Sequence, residues 1–91
     1  MCESPFPKRL KEARLKAGLS QMKLGILAGF KKSVSSSLMN HYEKGVHNPS
    51  FENLAKIAKV LDVPTSYFYE VDDVLAEKIL MMWGKSGGLG E

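Results

Sequence analysis

Every apolar run in this 91-residue chain is closed by a glycine or a proline within about three turns of helix. The segment FENLAKIAKVL is the plainest case. Phe51, Leu54, Ile57, Ala58 and Leu61 recur at the spacing of one helix face, Ser50 stands before them as an N-cap, and Pro64 follows as a stop. The two-residue alternation of a half-buried strand appears nowhere. A chain patterned this way can bury its apolar surface only by packing several short helices, so the predicted fold class is all-α.

The same punctuation divides the rest of the chain. Pro7 opens KRLKEARLKA, whose Leu10, Ala13 and Ala17 share a face before Gly18, predicting a helix over 7–17. Ser20 caps QMKLGILA, with Leu24, Leu27 and Ala28 at helical spacing and Gly29 at the end, predicting a helix over 21–28. Leu38, Met39 and Tyr42 mark a third helix over about 35–44, closed at Gly45. Either Ser33 or Ser35 can cap it. The fourth helix spans 51–61, a short fifth runs from Pro64 and Thr65 to Tyr69, and Asp72 caps a sixth, DVLAEKILMMW, with Val74, Leu75, Ile79 and Met82 at helical spacing. The expected organisation is a flexible N-terminus (1–6), a helical domain (7–69), a C-terminal helix (70–83) and a disordered glycine-rich tail (84–91). Gly25 lies inside the second helix, where glycine costs about 1 kcal/mol against alanine, so the helix is weak or a neighbour approaches closely there.

Size and charge narrow the function. One small domain has no room for a catalytic unit plus a substrate unit, and no stretch approaches the roughly 20 apolar residues of a membrane span. The opening MCESPFPKRL lacks an apolar signal core and Cys2 is the lone cysteine, so a cytoplasmic location is expected. Residues 1–59 hold eleven Lys and Arg against four acids, a balance of +7, whereas residues 60–91 hold two against six, a balance of −4. A basic half concentrates near phosphates through long-range attraction, which points to a polyanionic partner. His41, His47 and Cys2 do not form metal-ligand spacing, and no nucleophile-and-base motif or phosphate-cradling glycine loop is present. Neither an enzyme nor a cofactor site is expected. Met22, Met39, Met81, Met82 and Trp83 read as core or interface positions.

Two short helices joined by a tight glycine turn within a basic all-α domain suggest a helix-turn-helix. SQMKLGILAGF followed by MNHYEKGVHNPSFENLAKIAKVLDVPTSYF resembles the XRE-type family, the lambda-repressor-like Cro and CI helix-turn-helix proteins, over roughly residues 7–69. The resemblance implies a bundle of five short helices, here with a sixth appended, that inserts its recognition helix (about 35–44) in the major groove of a double-stranded DNA operator. It matches Gly25 to a small residue where the first helix of the motif meets the second, Gly29 to the glycine of the turn, and Phe30 and Met39 to core positions. Arg14 and Glu43 match a structural ion pair between the first helix and the recognition helix.

One departure is substantial. About ten residues separate the turn glycine from that glutamate in typical relatives, against fourteen from Gly29 to Glu43, so about four extra residues lie within KKSVSSS. Counting back from Glu43, the resemblance puts Ser36, Ser37, Leu38 and His41 on base-facing positions, with Asn40 at their margin. Serine hydroxyls suit most base edges, Leu38 suits a thymine methyl, and His41 can donate to guanine. Gln21, Lys31, Lys32, Ser35, Lys44 and Asn48 are the expected phosphate contacts. The implied function is a transcriptional regulator, most simply a repressor, of a prokaryote, phage or mobile element. It would bind as a homodimer with the sixth helix as the dimerisation element. An antitoxin that represses its own operon alongside a toxin protein, and a protein-interaction module that reads no bases, are the alternatives.

Overall fold

The computed structural model describes residues 4–86, whose regular structure is all helical, with no strand among them. Helices α1 (Phe6–Lys16), α2 (Gln21–Leu27), α3 (Lys32–Glu43) and α4 (Phe51–Leu61) are followed by a 3-10 turn (Thr65–Tyr69) and by α5 (Asp73–Ser86). The serine caps act as the sequence implies: Ser20 Oγ accepts the Lys23 amide at 3.0 Å and Ser50 Oγ the Asn53 amide at 3.1 Å. Asp72 Oδ1 accepts the Leu75 amide at 2.9 Å, opening α5 as expected.

The core is one cluster fed by every element. Phe6, Leu10, Leu24, Met39, Leu54, Ile57 and Phe68 are almost wholly excluded from solvent. Phe6 lies in the stretch expected to be flexible, yet it is 1% exposed and its ring meets those of Tyr42, Phe68 and Tyr69. The ring is held because α1 starts one residue earlier than the proline implied, with Phe6 itself in its first turn. Residues 1–3, including Cys2, lie outside the described part, as do 87–91 of the expected tail. At its other end α5 runs through Gly84 to Ser86, past the expected stop.

The third helix departs most from expectation. Neither Ser33 nor Ser35 caps it; Lys31 is the N-cap, without a side-chain hydrogen bond, and the helix begins at Lys32. The four extra residues therefore add about one turn to α3 instead of lengthening the loop.

Arg9 is 3% exposed, buried at the junction where α5 leaves the bundle. Its guanidinium donates to the Glu70 carbonyl (Nη2 2.7 Å, Nε 3.1 Å) and meets the Asp73 carboxylate at 2.9 Å, where Lys8 also arrives at 2.9 Å. Both bonds to Asp73 hold its carboxyl below the usual carboxylate range, that from Lys8 contributing most. From this clamp α5 turns back over the core. Ala76 is 1% exposed, Ile79 and Leu80 pack against the cluster, and Trp83 Nε1 donates to Asp62 Oδ1 at 3.1 Å. Asp62 is the one described non-glycine residue in the left-handed region (φ 57°), where it caps α4.

Candidate nucleic-acid interface

Helix α3 is seated by its small and apolar side. Ser35, Met39 and Tyr42 follow one another at i, i+4 and i+7 and are all buried. Ser35, expected to meet a phosphate, is 0% exposed and is a packing residue instead. Its hydroxyl donates to the Lys31 carbonyl at 2.7 Å, and its Cβ faces Gly25 so closely that a Cβ placed on Gly25 would lie 2.5 Å away. The close approach supplies the reason for a glycine inside α2.

Burial of that row fixes what faces outward. Ser33, Ser37, Asn40 and Lys44 recur at i, i+4, i+7 and i+11 on the far side, with Ser36 and His41 flanking them. Ser33, Ser36, Ser37 and Lys44 are exposed, and Asn40 and His41 are half-buried. Asn40 thus sits inside the row and not at its margin. Leu38 is half-buried and packs against the core cluster, which takes it away from this row and argues against its reading a thymine methyl. Sequence reasoning missed Ser33 because it treated the residue as a possible cap; its i+4 and i+7 relation to Ser37 and Asn40 was the available signal.

The two ends of α3 are pinned differently. At the start, Lys31 and Lys32 are exposed beside amides that have no side-chain cap, so positive charge and free N–H groups lie together. Toward the end, Glu43 is buried, with its side chain 4% exposed. Both of its oxygens are bound by Arg14, through Nε and, at 3.1 Å, through Nη2; Arg14 Nη1 also donates to the Leu19 carbonyl at 2.9 Å. The ion pair joins α1 to α3 with every buried side-chain polar atom partnered among the described residues.

Gln21, the first residue of α2, extends the pair. Its Nε2 donates to Glu43 Oε1 at 3.1 Å and to Asn40 Oδ1 at 3.4 Å. Its amide hydrogens are directed into the protein, unlike the phosphate contact expected of them. His41 and His47 stand edge to face with ring centres 5.1 Å apart, and Asn48 is exposed in the loop that follows α3. Among the described residues no group of three or more His, Cys, Asp and Glu side chains is placed to hold a metal ion, and no helix is long and apolar enough to cross a membrane.

Comparison with known proteins identifies the family. A family model described as helix-turn-helix matches residues 10–68. The HTH-type transcriptional regulator ImmR of Bacillus subtilis (strain 168) is 34% identical over 67 residues, 74% of this chain and 50% of that protein. The chain therefore spans about half the length of this curated relative. The crystal structure of the transcriptional regulator BswR is similar with a TM-score of 0.80 at 43% identity, over 84% of this chain and 75% of that one.

Proposed function

The chain belongs to the helix-turn-helix family, and from that premise we propose that it is a sequence-specific, double-stranded-DNA-binding transcriptional regulator, acting in the cytoplasm as a repressor. One observation carries the reading. Helix α3 offers solvent a continuous polar row, Ser33, Ser36, Ser37, Asn40, His41 and Lys44, on the half of the chain whose net charge is +7. From Ser33 to His41 such a row suits base edges in a major groove, while Lys44 at its end, with Lys31, Lys32 and Asn48, suits the phosphates on either side. The additional turn at the start of α3 brings Ser33 into the row.

Selection from randomised duplexes tests this directly, with an enriched motif as the expected result. His41→Ala is expected to relax preference at one position per half-site by about 1–3 kcal/mol, whereas Lys32→Ala weakens all sequences nearly alike and flattens the salt dependence of binding. Equal loss on every sequence for His41→Ala would remove it from the base-reading set.

A single recognition helix reads few base pairs, so a homodimer on two half-sites completes the proposal. Helix α5 is the candidate interface because it is apolar on both sides. Ala76 faces the chain's own core, while Val74, Leu75 and Met81 are 66%, 46% and 57% exposed on the outside. Deleting the helix would uncover the core as well, so outer-face substitutions are the sharper test. Val74→Lys with Met81→Lys is expected to leave folding intact, to give a monomer by solution mass and to weaken operator binding. A variant that still dimerises would exclude α5.

A further inference from the structure

Resting on that reading, we infer that Val34 is a specificity-determining residue that selects thymine by covering its 5-methyl group. An exposed valine by itself is ordinary. Its setting here is not: Val34 is the third residue of α3 and the single apolar side chain between Lys31 and Ser37, and it is 44% exposed. It lies in the stretch that carries the extra residues of this chain, and in the first turn of α3, the part of a recognition helix that reaches base edges. Leu38, the thymine reader expected from the sequence, packs against the core one turn later, which leaves the apolar contact to Val34.

Helix geometry keeps Val34 away from the rest of the bundle. Helix α2 meets α3 through Gly25 against Ser35 and through Gln21, which donates to Glu43 and Asn40. At about 100° per residue, Glu43 stands on the side of α3 opposite Val34, whereas His41, seven residues on, lies nearly in line with it. Val34 and His41 therefore form one flank of the outward face. The neighbouring serines sharpen the assignment. Ser35 Oγ donates to the Lys31 carbonyl at 2.7 Å and Ser37 Oγ to the Val34 carbonyl at 3.3 Å, so both hydroxyl hydrogens are directed to the backbone of the helix itself. A β-branched side chain has one strongly preferred rotamer in a helix, so the two methyl groups of Val34 are held in place before binding. The 5-methyl of thymine is the one apolar group that a base pair presents in the major groove, and an apolar side chain is its complement.

Selection with the full chain first supplies its preferred duplex, and uracil replacement then tests the inference, because deoxyuridine differs from thymidine only by that methyl group. Replacing the thymines of the selected duplex one at a time is expected to weaken binding by about three- to fivefold at one position per half-site, the worth of one buried methyl group. With Val34→Ala the same replacement should change affinity by less than about 1.5-fold, since the partner of the methyl group is gone. Alanine is the better helix former, so this variant should melt no lower than the unaltered protein, and its lost sensitivity is then not an effect of unfolding. A selected duplex in which no thymine responds to loss of its methyl group, or a response that persists undiminished in Val34→Ala, would overturn the inference while leaving DNA binding intact. If the unaltered chain enriches no duplex and binds random DNA without salt dependence, the DNA-binding reading falls and takes this inference with it.

Discussion

Glu43→Ala is expected to destabilise the domain by about 3–5 kcal/mol, enough to unfold much of a small domain whose total stability is on the order of 5–15 kcal/mol. The magnitude comes from what the substitution leaves behind. Arg14 is 11% exposed along its side chain, and without Glu43 it retains one bond, to the Leu19 carbonyl, while its remaining donors lose their partner. Gln21 loses its anchor at the same time. Replacing both charges, as in Arg14→Met with Glu43→Leu, should cost far less, because desolvation of two ions offsets much of their attraction. Thermal melts of the single and double variants check this. A Glu43→Ala melting temperature equal to that of the unaltered protein would mean that the pair is solvated in solution.

Arg14 and Glu43 are legible in the sequence because the resemblance fixes both positions, and the spacing of glycines and prolines fixes the order of the helices. The start of α3 was not legible. A serine before an apolar run ordinarily caps a helix, and KKSVSSS offers several; that Ser35 instead turns its hydroxyl back on the Lys31 carbonyl depends on Gly25, ten residues earlier, leaving room for it. Arg9 left no signal at all. On a basic amphipathic helix it looks like one more solvated cation, and its principal acceptor, the Glu70 carbonyl, lies 61 residues away and is backbone, which carries no sequence signature. Phe6 was hidden by its setting between two prolines near the chain start. Local pattern thus determined which segments are helical, whereas contacts across the chain determined which polar residues are structural. Ser35 and Gln21 moved from the expected phosphate set for that reason.

Gly25→Ala is expected to lower stability by about 2 kcal/mol or more, although alanine is favoured over glycine in a helix by about 1 kcal/mol. The new Cβ would lie 2.5 Å from Ser35 Cβ, 2.7 Å from its Oγ and 3.0 Å from its Cα. A flexible side-chain tip could yield to such contacts, but a Cβ and a Cα move only with their helix, so α2 and α3 must separate. At about 4–8 °C per kcal/mol for a domain of this size, the melting temperature should fall by roughly 10 °C. Separation would also tilt α3, and with it the outward row, relative to α2 and the rest of the bundle, so DNA affinity should drop by more than the folded fraction explains. Ser35→Gly removes the two shortest contacts and supplies the control. By itself it should destabilise modestly, through a weaker α3; combined with Gly25→Ala it should restore most of what the alanine lost, giving a coupling energy above about 1 kcal/mol. Additive effects of the two substitutions would mean that the helices already stand far enough apart to admit a methyl group, and that the serine at 35 is not what requires a glycine at 25.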